Sequence, residues 1–538
     1  MIKALTFILS FLFFVISLLT LSHYGVNWDS VSHLQRGQAY LHYYITGKKD
    51  YTDLTQWDLR NKKYFQQVDT IFFKPNLPKN EVPRISIYQN TGQDLNNIML
   101  RYDYGHPHVS DVSSSFFNFI LFQKLGLLND VDSYRIYSIL LASLLVGLVF
   151  WSTAKSYGKF AGLVAALSLS LYPLFWSESH FNNEKDIPET VFINFMFFSF
   201  YRGIVDKSWR WILTSGVFFG LALGTKFNVL FSVFTILPWL AFYLMEKKLT
   251  KKNLNTKFVL SLIMAPIIGI FIVIGTWPFF WSDPIQKILK IISFYKTIGT
   301  TVSIEQGFTG LFGISTYPAQ WILYTTPLVI LFLAILGLIQ IIKSIKKKDM
   351  LSLFLLLMFL VPILRVTWPG MNIYGGTRQI MEFIPAMAII AGIGGRSLRN
   401  WIISKGASNI FALVLVLTLF VPIVFKLIEI HPNENVYFNP LIGGLSGAKE
   451  RDFPGWGVSF GAPYREAIDW INKNSEQGAK LTTGYEILSN IPGIFIRPDI
   501  DYKSNRSGYL REGEYVISLR FRGADRRSYF DMYLDKMI

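Results

Sequence analysis

Eleven long apolar runs, separated by polar segments, limit the folds that this chain can adopt. A helix needs about 20 mainly apolar residues to cross the roughly 30 Å hydrocarbon core of a bilayer. The first run, Ala4 to Leu21, is not followed by a small-x-small cleavage site, so we interpret it as an uncleaved anchor. We predict transmembrane helices at approximately 4–21, 134–152, 160–176, 189–204, 211–225, 228–245, 258–280, 321–342, 350–367, 379–395 and 407–428.

The composition agrees with a membrane protein and excludes several kinds of site. The 538 residues are 51% hydrophobic and only 16% charged, whereas soluble domains carry about 25% charged residues. The chain has no cysteine, which excludes disulfides, cysteine nucleophiles and thiolate metal sites. Any metal would need His, Asp or Glu ligands.

The net charge of +16 is a topology signal. Five short loops between the predicted spans hold 17 basic residues against three acidic ones, which accounts for +14 of the total. Short basic loops stay in the cytoplasm. We therefore predict a multi-pass protein of the cell (inner or plasma) membrane with a cytoplasmic N-terminus, and we expect no nucleic-acid partner.

This orientation places three large polar segments, about 23–133, 281–320 and 429–538, on the outer face. We predict a transmembrane domain at 1–428, with a first outer loop at about 23–133, and an extracytoplasmic α/β domain at 429–538. In the second domain, 462–474 has helical spacing and 514–521 alternates as a strand does, while 480–488 and 493–497 are weaker strand candidates.

Asp29 is the first candidate site residue. It follows the anchor helix directly and stands beside Trp28. A carboxylate at the membrane surface can act as a general base or a metal ligand. It can equally cap the next helix, and position alone does not decide between these roles.

The segment His180 to Pro188 is the second candidate, a short charged outer loop between two apolar helices. Ionisable groups are costly in such a place and tend to be functional. Lys185 either neutralises Asp186 or binds a phosphate while Asp186 orients a hydroxyl; a plain capping loop is the alternative. The polar residues singled out here are His180, Asn183, Glu184, Lys185 and Asp186.

His106 and His108 are the third candidate, ahead of an amphipathic stretch at 109–128. Histidines at this spacing can bind a metal, but Pro107 keeps the chain extended and no third ligand is adjacent. Metal binding is therefore the minority interpretation.

Arg378 is the fourth candidate, since it follows two glycines at the outer mouth of a predicted span, close to Tyr374. A guanidinium at headgroup depth can grip a phosphate with two hydrogen bonds. Alternatively, Arg378 snorkels or pairs with Glu382. Lys226 is a weaker candidate of the same kind, with an interface anchor as its alternative. Together the four candidates predict an outer-face site for a polar, phosphorylated molecule.

Five motifs resemble those of the bacterial membrane glycosyltransferases of family 39, which are related to protein O-mannosyltransferases and the lipid A aminoarabinose transferase within the GT-C superfamily. Three positions depart from the family pattern: Ser30 replaces a second acid, His108 replaces a proline and Glu184 stands where proline is usual. The motifs are Asn27-Trp28-Asp29 with Arg36 to Leu41, Gly105-His106-Pro107-His108, His180 to Pro188, Tyr374-x-Gly376-x-Arg378, and His431 to Leu441.

The resemblance implies a polytopic α-helical GT-C-like protein of about 11 transmembrane helices. It implies transfer of a sugar from a polyprenyl-phosphate donor to an extracytoplasmic acceptor (protein, lipid or glycan), with inversion. Asp29 would be the catalytic base, Asp186 a second acid, and Arg378 and Lys185 phosphate or sugar contacts. The other candidates would bind substrate: His106, His108, His180, Asn183, Glu184, Lys226 and Tyr374.

No cofactor is certain, and the resemblance leaves a divalent metal open, although the paired acid is missing here. A transporter or flippase for a lipid-linked or anionic solute is the alternative function. It would place ionisable residues near the bilayer midplane, whereas here they lie at the outer ends of spans. A sensor or scaffold would leave the charged segment 180–188 unexplained.

Overall fold

The computed structural model describes residues 1–54, 84–89, 91–101, 103, 105–247, 255–301, 308–371, 373–483, 492–502, 514–517 and 519. Parts of several predicted features lie outside the described residues. These are 55–83, 90, 102 and 104 of the first outer loop, 248–254 of one basic loop, 302–307 of the second outer segment, 484–488 of one predicted strand, and 518 and 520–521 of another.

The described structure is mainly helical. Short 3₁₀ turns lie between several helices, and a π-helical turn, Phe119–Lys124, follows the fourth. The helices are α1 Ile2–Thr20, α2 Ser30–Thr46, α3 Leu95–Arg101, α4 Val109–Asn118, α5 Asp130–Tyr157, α6 Lys159–Ser170, α7 Pro173–Phe181, α8 Asp186–Val205, α9 Trp209–Leu223, α10 Val233–Lys247, α11 Thr256–Thr276, α12 Pro284–Thr301, α13 Tyr317–Thr325, α14 Leu328–Ile345, α15 Met350–Thr367, α16 Phe383–Ser404, α17 Asn409–Thr418, α18 Val421–Ile430, α19 Gly444–Glu450 and α20 Tyr464–Asn474.

Helices occupy all eleven predicted spans. Seven helical stretches are long and apolar enough to cross a bilayer, and the bent pair α6–α7 would make an eighth. The remaining predicted spans coincide with α8, α9 and α16, which have 20, 15 and 22 residues. The chain is a multi-pass membrane protein, as its sequence predicts.

Three predicted spans contain a break near a proline, although Asn409–Ile430 as a whole still counts as one helical stretch able to cross a bilayer. The α6–α7 pair bends by 61° before Pro173, α13 ends before Pro327, and α17 and α18 meet just before Pro422. Proline lacks a backbone N–H and disfavours the helical conformation in the residue before it. Tyr172, with φ −78° and ψ 114°, shows this effect directly.

Small residues let the central helices approach closely. α16 packs between α6 and α14. A Cβ added at Gly392 would collide with the Ala161 carbonyl, and one added at Gly337 would collide with the Ile390 carbonyl. Such contacts are typical of helix pairs in membranes, where association depends on close packing.

The C-terminal unit is a small α/β structure that shares its core with the membrane-spanning unit. The strands β1 Lys480–Thr483, β2 Asp501–Tyr502 and β3 Glu514–Ile517 form a parallel sheet in the order β2-β1-β3. The helix α20 packs on it beside Val26 and Val131, which come from the other unit. The predicted strand at 493–497 is wrong: a 3₁₀ turn, Gly493–Phe495, forms after Pro492 instead.

Candidate active site

Five of the predicted site residues come from four separate connections between helices and lie together. Asp29 precedes α2, Lys185 and Asp186 begin α8, Lys226 follows α9, and Arg378 precedes α16. Ion pairs join their side chains, so these connections share one end of the helix bundle. The basic loops alternate with them along the chain and therefore lie at the opposite end.

Asn27 takes over the helix-capping role that Asp29 could have had. Asp29 is the N-cap residue of α2, but its side chain makes no capping hydrogen bond. Instead, the Asn27 side-chain oxygen accepts from the backbone N–H groups of Asp29 (2.8 Å) and Ser30 (2.9 Å). The Asn27 amide also donates to the Phe181 carbonyl at 2.7 Å. The Asp29 carboxylate is therefore available for other contacts.

The ion pairs form one continuous network. Lys185 Nζ lies 2.8 Å from Asp29 Oδ2, and Arg378 Nη1 lies 3.1 Å from the same oxygen. Arg378 Nη1 also lies 3.1 Å from Asp186 Oδ2, and Lys226 Nζ lies 2.7 Å from Asp186 Oδ1. The Asp186 side chain is 3% exposed, whereas that of Asp29 is 36% exposed. Asp29 is thus the carboxylate that a solute can reach.

Two of the alternatives for the cations are wrong. Lys185 is not the ion-pair partner of Asp186, because Asp186 begins α8 and turns towards Lys226 and Arg378. Lys226 is not a surface anchor, because its side chain is 13% exposed and its ammonium is paired. Lys185 instead faces the exposed carboxylate of Asp29.

The alternative pairing of Arg378 with Glu382 is also wrong. Glu382 binds Arg365, with Oε1 3.0 Å from Nη1. Arg365 is near the C-terminal end of α15, one span earlier in the chain, and also donates to the Gln379 carbonyl at 2.9 Å. Because Arg365 neutralises Glu382, Arg378 can bind the two aspartates.

The Asp29 carboxyl is strongly acidic. Its burial opposes ionisation, but Lys185 and Arg378 outweigh this effect and hold the pKa of Asp29 well below its usual range. Asp29 is therefore ionised near neutral pH. In this arrangement, with both cations on the same oxygen, it is also a weak base.

Glu184 is part of the scaffold rather than of an open surface. It has no exposed area, and its oxygens accept from the Asn27 amide at 2.8 Å and the Ser30 hydroxyl at 3.1 Å. Burial raises the pKa of Glu184 to about 7. Its contacts join the first outer loop to the segment before α8 and thereby fix the start of α2.

Two of the predicted histidines are likewise enclosed. His180 Nδ1 donates to the Trp176 carbonyl at 2.7 Å, and its Nε2 lies 3.0 Å from the Thr20 hydroxyl. His108 Nε2 lies 2.9 Å from the Tyr44 hydroxyl, and burial lowers the pKa of His108 to about 3. Both rings are almost completely buried, so the expected direct substrate contacts are not open to them here.

The remaining candidates lie around the network without joining it. His106 is half-buried with Nδ1 3.3 Å from the Tyr295 hydroxyl; burial, followed by the charge of Lys185, holds the pKa of His106 well below its usual range. Tyr374 is 43% exposed. Asn183 is buried, and its amide nitrogen has no hydrogen-bond partner within the described structure.

The motifs alone do not identify a second charged group next to the network. His33 Nδ1 lies 2.9 Å from Asp111 Oδ1, and Arg36 Nε donates to Asp111 Oδ2 at 2.7 Å. All three side chains are buried. The spacing of Asp29, His33 and Arg36 at i, i+4 and i+7 places them on one helix face. This spacing is the sequence feature that could have predicted that His33 and Arg36 lie beside Asp29.

The described residues contain no group of three or more His, Asp or Glu side chains that could hold a metal ion. The divalent metal that the resemblance left open therefore has no candidate ligand set in this part of the chain. The site contains one exposed carboxylate beside two cations. Such an arrangement can bind an anion next to a base.

Comparisons with known proteins find a family that matches part of the chain. Residues 119–277 match the family described as dolichyl-phosphate-mannose-protein mannosyltransferase. The matched segment includes Lys185, Asp186 and Lys226. A comparison with curated protein sequences finds no match.

At least one solved structure shares the fold. The structure of ArnT from Cupriavidus metallidurans in the apo state has a TM-score of 0.50 at 11% identity, over 92% of this chain and 84% of that one. The same protein bound to undecaprenyl phosphate gives 0.49 at 12%, over 94% and 86%. The Archaeoglobus fulgidus oligosaccharyltransferase in the apo form gives 0.43 at 11%, over 93% and 64%. With the family match within its membrane unit, the chain is a membrane glycosyltransferase, and its fold is similar to that of ArnT.

Proposed function

We propose that this glycosyltransferase moves a sugar from a polyprenyl-phosphate donor to an acceptor hydroxyl on the extracytoplasmic face, with inversion at the anomeric carbon. The observation that carries the proposal is the exposed Asp29 carboxylate between Lys185 and Arg378 at the end of the bundle opposite the basic loops. The family match, whose description names a lipid-phosphate sugar, supports this class of donor.

The donor phosphate would bind Arg378 and Lys185. Its lipid tail stays in the bilayer, so the phosphate lies at the ends of the spans, where these two cations are. A guanidinium and an ammonium in a partly dehydrated site stabilise a phosphate strongly, and most of all when negative charge grows on it. The two residues would therefore favour departure of the lipid phosphate.

Asp29 would act as the general base. The acceptor oxygen attacks the anomeric carbon as its proton passes to the Asp29 carboxylate, and the bond from that carbon to the phosphate oxygen breaks. The electron pair leaves with the polyprenyl phosphate. Attack opposite the departing phosphate inverts the anomeric carbon.

Donor binding would also make Asp29 a better base. Without a donor, both cations bind Asp29 Oδ2, and this holds the Asp29 pKa down. A phosphate that draws Arg378 or Lys185 towards itself weakens that effect and adds negative charge nearby. The Asp29 pKa then rises towards the range in which a carboxylate accepts a proton more readily.

Asp186 is better suited to positioning Arg378 than to acting as a second acid. Its Oδ2 accepts from the Asn182 amide at 2.8 Å and lies 3.1 Å from Arg378 Nη1, while Oδ1 lies 2.7 Å from Lys226 Nζ. With both oxygens occupied and the side chain buried, Asp186 would hold the guanidinium towards Asp29.

A donor panel tests the activity. Purified protein is incubated with a series of polyprenyl-phosphate sugars, and release of free polyprenyl phosphate is measured with and without candidate acceptors. We expect release from at least one donor, and loss of roughly 10²–10⁴-fold in rate for Asp29→Asn. No release from any donor would overturn the proposal.

Asp206→Asn is the matched control for Asp29→Asn. It makes the same chemical change at the opposite end of the bundle, in a half-exposed pair with Arg202, where little stability is at stake. Its rate and its melting temperature should equal those of the unaltered protein. Wild-type transfer by folded Asp29→Asn would refute the assignment of Asp29 as the base.

The absence of native cysteine gives a direct test of the orientation. Ser446→Cys places one thiol in the exposed C-terminal unit, and Ser404→Cys places one at the basic end. A membrane-impermeant maleimide applied to intact cells should label only Cys at 446. The reverse pattern would contradict an extracytoplasmic site.

A further inference from the structure

The C-terminal unit contributes an aromatic ring to the proposed donor site. Phe460 is 8% exposed, and its ring centroid lies 4.0 Å from Cζ of Arg378. At this distance a guanidinium is attracted by the negative face of the ring, and most strongly where water is scarce. None of the sequence motifs includes Phe460.

The backbone holds this ring in an unusual but well-anchored conformation. Phe460 has φ +56°, in the left-handed region that bulky residues rarely adopt. The Phe460 carbonyl accepts from Trp28 N–H at 2.9 Å, and the Ala462 carbonyl accepts from Gly25 N–H at 2.8 Å. Residues 460–462 thus follow the chain that leads to Asp29, and the ring is fixed relative to the carboxylate.

The Phe460 ring covers one face of the Arg378 guanidinium. Its ion pairs with Asp29 and Asp186 both use Nη1, and its buried Nε has no hydrogen-bond partner within the described structure. The ring packs tightly there, since a Cβ added at Gly375 would lie 2.8 Å from the tip of Phe460.

A small, partly open pocket borders the same ring. Its lining includes Trp321, Thr377 and Tyr437 together with Phe460. If the ring were removed, the long Arg378 side chain would have this space to enter. Phe460 therefore closes a route by which the guanidinium could leave the site.

We propose that Phe460 is a positioning residue that holds Arg378 in place for the donor phosphate, which makes the C-terminal unit part of the active site. The inference rests on the proposed function of Arg378. It has a specific consequence: when a phosphate displaces Asp29 from Arg378, the ring contact remains and keeps the guanidinium from following Asp29.

Phe460→Leu tests the proposal, because it keeps an apolar side chain of similar bulk and removes the ring. We expect the donor KM to rise about tenfold with a much smaller change in kcat. Phe460→Tyr and Phe460→Trp retain an aromatic face and should restore the donor KM. An unchanged donor KM in Phe460→Leu would overturn the proposal.

Phe495→Leu is the matched control. Phe495 belongs to the same unit, is 6% exposed, and stacks at 4.2 Å on Arg465, a guanidinium away from the network. Its loss should lower the melting temperature and leave the donor KM unchanged. If Phe460→Leu itself unfolds, fluorinated phenylalanines at position 460 keep the ring shape while weakening its negative face. A graded rise in KM then supports the proposal, and a flat series refutes it.

The double variant separates this inference from the proposed function. On an Arg378→Ala background, Phe460→Leu should cause no further rise in donor KM, because the group that it positions is absent. An equal additional rise would mean that Phe460 acts elsewhere and would overturn the inference alone. If Arg378→Ala leaves the donor KM unchanged, the assignment of Arg378 to the phosphate fails instead.

Discussion

Asp29 and Asp132 each lie between two cations, and they differ in almost everything else. Asp29 binds Lys185 and Arg378 through one oxygen and is 36% exposed. Asp132, in the first turn of α5, has no exposed area. Its Oδ1 lies 2.8 Å from Arg465 Nη1 and 3.1 Å from Arg135 Nη1. Its Oδ2 lies 3.1 Å from Arg465 Nη2.

The difference separates a reactive site from a structural clamp. Arg465 grips Asp132 with two hydrogen bonds, and the Asn129 amide also donates to Oδ2 at 2.6 Å. Since every oxygen is used and enclosed, this cluster can only join α20 of the C-terminal unit to α5. Around Asp29 the cations share one oxygen, which a competing anion can replace. The two clusters have similar charges, and the accessibility of the carboxylate to solvent is what distinguishes the reactive one.

Asp132→Asn should have the largest effect on stability. It removes the counter-charge from Arg135 and Arg465, both of which are buried, and breaking such a pair costs about 3–5 kcal/mol. We expect a clear fall in the melting temperature of the purified protein. Because Asp132 belongs to the structural clamp, we expect the molecules that remain folded to keep the donor KM of the unaltered protein.

One outcome for Asp132→Asn would contradict the distinction between the reactive site at Asp29 and the structural clamp at Asp132. If the melting temperature is unchanged while transfer is lost, the Asp132 cluster is part of the catalytic machinery and not a structural clamp. Asp349→Asn serves as a control at a half-buried carboxylate that has no guanidinium partner within the described structure: the Asp349 side chain caps α15 by accepting from Leu351 N–H at 3.2 Å. Asparagine caps a helix about as well as aspartate does, so this substitution should change the melting temperature much less than Asp132→Asn.

The sequence predicts the membrane architecture well, because burial in a bilayer requires long apolar runs. All eleven runs are helical, and α20 and β3 lie where the periodicity places them. The interruptions before Pro173 and Pro327 were missed because hydropathy averaged over a window does not register a single proline. Local rules for the residue before proline contain that information.

The candidate site was predicted in its members but not in its pairings. Chain order suggests that Lys185 neutralises Asp186 and that Arg378 pairs with Glu382. The structure replaces both pairs by contacts across 156 and 349 positions of the chain, each to Asp29. Such contacts depend on how the helices pack, which periodicity does not specify. Phe460 was missed for the same reason, since nothing near it in the chain indicates that it faces Arg378.

Arg378→Lys tests whether the shape of the cation matters at the reactive carboxylate. Lysine keeps the charge but loses the planar fork and most of the stacking on Phe460. We expect the donor KM to rise about tenfold while the melting temperature changes little. The matched change at the clamp is Arg465→Lys, which loses the bidentate grip on Asp132 and should lower the melting temperature instead. If the two substitutions gave the same pattern, the two regions would not differ as argued.

Lys185→Met should produce the smallest and most specific change, a shift in the pH dependence of transfer. In the unaltered protein Lys185 and Arg378 depress the Asp29 pKa, so the basic form is present above that low value and is lost only as the pH falls through it. Free-enzyme pKa values appear in kcat/KM, whose acid limb should therefore lie well below the usual range of an aspartate. Removing Lys185 leaves burial less opposed, raises the Asp29 pKa and moves the acid limb to higher pH. The conservative variant Lys185→Arg keeps the charge and should leave the limb in place. If the acid limb does not move in Lys185→Met, a group other than Asp29 sets it. The assignment of Asp29 as the general base would then be refuted.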